Sequence, residues 1–456
     1  MEHARRHHAS FVADLLAWLR IPSVSTQPEH AADCDAAARW LAERLTAFGV
    51  PAEVVVPAAG GHPLVVAARE EDPALPTVLL YGHYDVQPAE PLAEWTTPPF
   101  QPAVRGEDVF ARGANDDKGQ CWASLCAAAS WIAAEGRLPV NLRVVVEGEE
   151  ECGGRVLSDF AAAEPERLRA DAAWVADAGL FAPGIPALYT ATRGIVYLEL
   201  EAQGARADLH SGMYGGVAPN PLLALCHVLA ACKPWNGAVT LPGFYERVRR
   251  PSAEELAGWA ALPFDEAAYQ REDVQAPALP GEHGFTVLER LWARPTFEVH
   301  GIAGGFVAPG SKTVIPAQAT AKVSMRLVPD QDPEVVVRAF EERINFLRPE
   351  GITFVVRVLE TAPPVQLPLG HPVLEAGKRA LAAAFGREPV VIRSGVSLPA
   401  LSLLAHRLRV PTVMTGFGLP DDRLHAPNEK FHLPNLQAGI AATAAFLREC
   451  AALPRT

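Results

Sequence analysis

The chain has 456 residues, 49% of them hydrophobic and 20% charged, with a formal net charge of −13. That length exceeds one ordinary core and predicts two domains, and the composition excludes a long disordered tract. The acidic balance excludes a phosphate-backbone partner, and no apolar run reaches the length of a bilayer span, so neither nucleic acid nor membrane is an expected partner.

In chain order, the Arg- and His-rich start leads into an amphipathic stretch with Phe11, Leu15 and Leu19 on one face. No secretory apolar core precedes it, which predicts a cytoplasmic protein. A second helix over 37–48 carries Leu41, Leu45 and Phe48 on one stripe and ends at Gly49. Short apolar runs at 77–81, 142–146, 172–176 and 411–415 then alternate with helical segments such as 119–134. This is the pattern of a mostly parallel sheet covered on both faces.

From Arg193 the texture changes. Val196, Leu198, Leu200 and Ala202 alternate with Ile195, Tyr197, Glu199 and Glu201, as in a strand with one buried face. A helix at 221–231, strands at 296–301 and 319–328, a helix at 333–347 and a strand at 353–359 complete a β-α-β-β-α-β order. An irregular insertion is expected between Cys232 and Arg294, with Trp235, Trp259 and Trp292 in or beside it filling a core or a subunit contact. After Pro363 the α/β texture resumes, with helices at 371–385 and 436–447. The fold class read here is α/β with two domains: a mostly parallel-sheet catalytic domain (1–192 and 364–456) interrupted by an inserted α+β lid or dimerisation domain (193–363).

The seven cysteines are odd in number and never paired as C-x-x-C hooks, so neither a disulfide framework nor a thiolate zinc site is expected. Cys121, Cys126, Cys226 and Cys232 fall in helical segments and are read as buried small hydrophobes.

Three apolar strands are each followed at once by metal-ligating residue types: His83 and Asp85, then Glu147 to Glu151, then Asp177. In an open α/β sheet the carboxyl ends of the strands form the ligand crevice. The segment Gly113 to Gly119, which carries Asp116 and Asp117 just before a helix, and His425, after the run at 411–415, are placed to join them. Carboxylates and imidazoles without thiolates suit Zn²⁺, Mn²⁺ or Co²⁺ in a catalytic site.

The stretches YGHYDVQP, RGANDDKGQ, EGEEECGG, VADAG, DLHSGMYGG, KTVIP, SMRLVP and LHAPNEK, in this order and spacing, resemble the M20 family of metallopeptidases over nearly the whole chain. The likeness is greatest to the branch of cytosolic non-specific dipeptidases and carnosinases. The resemblance implies two divalent ions, with Asp116 bridging them, His83 and Asp177 completing one site, and Glu151 and His425 the other. It implies a cis peptide after Asp116, Glu150 as general base, Asp85 behind His83, and His210 as oxyanion donor. It implies Arg326, Thr313 and Ser397 as substrate contacts, Arg326 for a carboxylate. It also implies a homodimer through the lid, with His210 reaching the partner's active site, and hinges near Arg193 and Pro363.

The implied activity is hydrolysis of an amide bond in dipeptides or related N-acyl amino acids. An N-acyl or N-carbamoyl amino acid amidohydrolase of narrow specificity is the close rival. A non-catalytic metal- or peptide-binding protein is argued against by the acidic Glu150, which is not an implied ligand. Pairing of Arg326 with a lid carboxylate is the plain alternative to substrate binding. The branch commonly reads R-E-G-G-S-I-P where this chain has Arg393-Ser394-Gly395-Val396-Ser397-Leu398-Pro399, and a histidine with glycines where it has Glu360 to Pro363. These departures predict a narrower substrate range.

Overall fold

The computed structural model describes residues 2–454. The chain forms two compact units: one comprises the residues up to Thr190, Leu367–Ile392 and those from Pro399 onward, the other Ala191–Gln366 with Arg393–Leu398. The segment 393–398, inside the stretch that the sequence alone assigns to the returning catalytic domain, packs with the second unit.

The first unit is built on an eight-stranded sheet in the order Ala52–Val55, Leu64–Arg69, Asn141–Glu147, Thr77–His83, Ala172–Ala176, Thr412–Thr415, Ala187–Tyr189, Val390–Ile392. From Asn141–Glu147 to Thr412–Thr415 the four central strands run parallel. Their apolar runs do not alternate because both faces are covered: every residue of Thr77–His83 and of Ala172–Ala176 is buried. Parallel strands end at the same edge, so whatever follows each one meets there.

The second unit is a four-stranded antiparallel sheet in the order Thr296–Gly304, Gln318–Leu327, Gly194–Gln203, Thr353–Ala362, with the helices Pro221–Cys232 and Pro333–Phe346. Val196, Leu198 and Leu200 pack with Val323, Met325 and Leu327, and with Leu225, Val228 and Phe340 from the helices, in one core. The β-α-β-β-α-β order is therefore observed.

Three expectations need correction. The insertion is not wholly irregular. It contains the helices Ala253–Ala260 and Val287–Trp292, each opened by a reciprocal capping box, Ser252 with Glu255 and Thr286 with Glu289. Trp259 is buried and meets Trp292 edge-on at 5.3 Å, whereas Trp235 is fully exposed. Cys226 is exposed, because it lies one position beyond Leu225 on a helix whose buried stripe is Ala224, Leu225, Val228, Leu229 and Cys232. The last helix is longer than expected, Leu433–Cys450, with Pro434 in its first turn.

Candidate metal centre

Each expected ligand of the first unit arrives by a short route from a strand or helix end. His83 is the last residue of Thr77–His83, and Asp177 directly follows Ala172–Ala176. Glu150 and Glu151 sit in the turn after Asn141–Glu147. That turn depends on Gly148, because a Cβ there would lie 2.2 Å from Tyr84 Oη. Asp116 precedes the helix Lys118–Glu135, and the Asp116–Asp117 peptide is cis. Gly119 lets this helix start close to the loop, since a Cβ would fall 2.1 Å from the Ala114 carbonyl oxygen. His425 stands in the left-handed region, φ 58°, in the loop after Thr412–Thr415.

These residues converge. His83 Nε2 lies 3.1 Å from Asp116 Oδ1 and 3.8 Å from Asp177 Oδ2. His425 Nε2 lies 2.8 Å from Asp116 Oδ2 and 3.5 Å from Glu151 Oε1. The two oxygens of one carboxylate thus face two different imidazoles. Ligand-type atoms also gather into two groups: His83, Asp117 and Asp177, and Asp116, Glu151 and His425.

The donor set fits divalent cations. His83 is fully buried, and its Nδ1 is 3.1 Å from the Asp85 backbone carbonyl. A carbonyl only accepts, so Nδ1 carries a proton, and it is Nε2 that faces the carboxylates, donating to Asp116 Oδ1 at 3.1 Å and becoming a ligand atom once it gives up that proton. The Asp85 carboxylate stands farther off, its Oδ1 3.4 Å from Nδ1. It accepts instead from Ser25 Oγ at 2.7 Å and from the backbone N–H groups of Glu150 and Glu151 at 3.2 and 3.1 Å. Asp85 therefore ties the His83 strand end to the Glu150–Glu151 turn. Glu151 Oε2 accepts from Gln87 Nε2 at 2.7 Å, while its buried Oε1 has no hydrogen-bond partner among the described residues.

The concentration of carboxylates in low dielectric perturbs several of these groups. Burial, with the nearby Asp177, Glu151 and Asp116, pushes Glu150 well above the usual carboxylate range, and its carboxyl makes no hydrogen bond among the described residues. Burial and the Asp116 charge raise Glu151 to about 7. Burial opposes protonation of His83, yet the hydrogen bond to Asp116 and the nearby Asp177 and Asp85 carboxylates prevail and raise it. Asp116 goes the other way: hydrogen bonds from His425 and His83 outweigh its desolvation and hold it far below the usual range.

Two residues of the site receive no role of their own from sequence reasoning. Glu429 is completely buried and accepts from Arg112 Nη1 at 2.7 Å and from the backbone N–H groups of Gly113, Asn115 and Asp116 at 2.9, 2.9 and 3.1 Å. One carboxylate thus shapes the loop that presents Asp116; breaking such a buried pair costs on the order of 3–5 kcal/mol. Asp117 accepts from the His83 backbone N–H at 3.2 Å, and its other oxygen is buried without a partner among the described residues. Glu429 lies within the quoted LHAPNEK stretch and Asp117 within RGANDDKGQ, so the motifs held both.

The remaining expected residues belong to the second unit. His210 and Val314 pair in a short antiparallel ladder, and Ser211 N–H donates to the Thr313 carbonyl at 3.0 Å, so His210 and Thr313 share one exposed ribbon. The Gly212 N–H donates to His210 Nδ1 at 3.0 Å, which leaves Nε2–H of the neutral ring as an outward donor. Arg326 Nη1 donates to Ser397 Oγ at 2.8 Å. Arg326 forms no ion pair among the described residues, although the charge of the lid residue Glu360 acts on it. Ser394, where the branch commonly has an acidic residue, is buried and accepts from the Val396 N–H at 3.2 Å, while Val396 is 55% exposed.

An α/β unit with imidazoles and carboxylates gathered at the carboxyl edge of its sheet, joined to a β-α-β-β-α-β unit, places the chain among hydrolases with dinuclear metal sites. The chain belongs to peptidase family M20/M25/M40, whose family model matches residues 79–449. It is 32% identical over 402 residues to human Beta-Ala-His dipeptidase, covering 86% of this chain and 78% of the relative. It is 31% identical over 405 residues to Cys-Gly metallodipeptidase dug1 of Schizosaccharomyces pombe, covering 86% and 83%. The crystal structure of human carnosine dipeptidase 1 superposes with a TM-score of 0.85 at 30% identity, covering 99% of this chain and 98% of that one.

Proposed function

We propose that this protein hydrolyses the peptide bond of dipeptides or closely related small amides, with Glu150 moving the proton. The observation that carries the reading is Glu150 itself: a carboxyl without a hydrogen bond among the described residues, raised by burial, beside an Asp116 carboxylate that faces both His83 and His425. His83, Asp116, Asp177, Glu151 and His425 are the residues that would hold two divalent ions, Zn²⁺ first by donor type, with Mn²⁺ or Co²⁺ also accommodated. Bound there, the ions supply Lewis acidity for the scissile carbonyl and for the attacking water.

The chain's own residues do the rest. Glu150 accepts the proton of the attacking water and returns it to the leaving amine. The Nε2–H of His210 is the donor for the developing oxyanion. The guanidinium fork of Arg326, steadied by Ser397, takes the carboxylate of the leaving part, and Thr313 contributes from the His210 ribbon. The seven cysteines are all free, which fits a reducing, cytoplasmic setting. Among the described residues no helix is long and apolar enough to cross a membrane.

A hydrolysis screen across α-dipeptides, β-alanyl and γ-glutamyl peptides, and N-acetyl and N-carbamoyl amino acids tests this reading. Faster release of amino acid from free-amine dipeptides is the expected outcome; the reverse order supports the N-acyl rival. Within the dipeptides, a narrow range is expected, because Ser394 brings no carboxylate to attract a substrate ammonium group and Val396 adds bulk. Rapid turnover of many unrelated α-dipeptides would remove the narrow-range idea and leave the dipeptidase reading intact.

The second unit is further proposed to form a homodimer in which His210 serves the partner's site. Mixing inactive His210→Ala and inactive Glu150→Gln subunits, under conditions that allow exchange, is expected to restore part of the activity. A fully active monomer in solution would overturn the arrangement.

A further inference from the structure

The inserted helix Ala253–Ala260 belongs to no motif quoted above, yet it holds the segment that carries Ser397. Arg393 is 3% exposed, and both its Nε and Nη2 donate to Glu255 Oε1, at 2.9 and 2.7 Å. Its guanidinium lies over the buried Trp259 ring at 5.6 Å, and Trp259 in turn meets Trp292. The other Glu255 oxygen is committed elsewhere: Oε2 accepts from the Ser252 N–H at 2.9 Å and closes the capping box that starts the helix. Glu255 thus fixes where the helix begins and where Arg393 ends with the two oxygens of one carboxylate.

From Arg393 the segment runs against the first strands of the unit. Ser394 N–H donates to the Ala191 carbonyl at 2.7 Å, and Arg193 N–H donates to the Val396 carbonyl at 3.0 Å. Ser397 then accepts from Arg326. Arg326 is a strand residue held on both sides, opposite Ile195 and Thr296, so its backbone cannot drift. Ser397 has no such ladder. Its position follows from the anchor at Arg393, and the direction of the Arg326 fork follows from Ser397.

We infer that Glu255, with Trp259, is a positioning residue for substrate recognition: it clamps the segment 393–398 through Arg393 and so sets the Arg326–Ser397 pair for a substrate carboxylate. The inference rests on the carboxylate role proposed above for Arg326. A glutamine at position 255 would keep the size of the side chain, but it has one acceptor oxygen where two are used. It either caps the helix and turns an NH₂ group toward the Arg393 donors, or holds Arg393 and leaves the cap unmade. Arg393→Lys keeps the charge and loses the two-pronged contact and the flat face over Trp259.

The experiment compares a dipeptide with the same dipeptide amidated at its carboxyl end, for the metal-loaded wild type, Glu255→Gln, Arg393→Lys and Arg326→Ala, each checked by thermal melting. For both clamp variants KM for the free-acid dipeptide is expected to rise roughly tenfold with kcat within about twofold, as for loss of uniform binding. KM for the amide is expected to stay within about twofold. Arg326→Ala should erase the difference between acid and amide. If Arg326→Ala leaves that difference intact, the carboxylate reading fails and the clamp falls with it. If Arg326→Ala erases it while the folded clamp variants keep wild-type discrimination, the clamp alone is overturned. Equal loss on acid and amide in both clamp variants also overturns it, because general destabilisation does not distinguish the two substrates.

Discussion

Glu150→Gln is expected to lower kcat by roughly 10²–10⁴-fold while metal content and the melting transition stay close to wild type. Glu150 stands apart from its acidic neighbours. Its carboxyl accepts no hydrogen bond among the described residues, whereas Glu149 accepts from His62 and Val156 backbone N–H groups, Glu147 from Tyr81 Oη and Glu151 from Gln87. Only the backbone of Glu150 is held, by Asp85. An amide there breaks no structural bond, but it cannot accept and return a proton. Burial already disfavours the charged carboxylate, and such a group is suited to exchange a proton near neutrality once cations share the site. Steady-state kinetics with elemental analysis of the purified variant checks this. Wild-type turnover at unchanged metal content would reassign the base.

The placement of most candidate ligands was legible because parallel strands share one edge. His83, Glu151 and Asp177 each follow an unbroken apolar run, and three such runs in one sheet leave few places for what comes next. The second unit was legible from periodicity: Val196, Leu198 and Leu200 on one face, then Val323, Met325 and Leu327 on its neighbour. What could not be read depends on contacts distant in sequence. Glu429 looks like an ordinary loop carboxylate until the fold brings the Arg112–Asp116 segment against it, more than 300 positions away. The Glu255–Arg393 pair spans 138 positions and joins an insertion to a returning segment. Other misses were avoidable. Ser252 with Glu255 and Thr286 with Glu289 are S-x-x-E and T-x-x-E spacings that announce a helix start, overlooked because the helices they open have only eight and six residues. Cys226 lies about 100° around the helix from Leu225, and the 3.6-residue repeat alone turns it outward.

Stripping metal with a chelator is expected to abolish hydrolysis, and adding back Zn²⁺, Mn²⁺ or Co²⁺ to the stripped protein is expected to restore it. Without cations the site brings Asp116, Asp117, Asp177, Glu150 and Glu151 close to two imidazoles in a largely buried space. The imidazoles balance part of this charge: His83 and His425 hold Asp116 ionised. The rest is relieved by protons, and burial with neighbouring negative charge pushes Asp117 and Glu150 upward accordingly. A divalent cation competes with those protons and with the proton that an imidazole must give up to bind it, so loading releases protons to the buffer. The same competition predicts a second readout that does not depend on turnover. Metal-loaded protein should melt at a higher temperature than stripped protein, by the equivalent of about 2.7 kcal/mol when free metal is one hundred times its dissociation constant. More than one first-row ion should serve, because nitrogen and oxygen donors without a thiolate discriminate weakly among them; Cys152, next to Glu151, is exposed and lies outside both ligand groups. Calorimetry in buffers of different ionisation enthalpy measures the released protons, and scanning calorimetry measures the stabilisation. Undiminished hydrolysis by protein shown to be metal-free would contradict the site, since five ligand-type side chains and an unpartnered Glu150 would then have no common task.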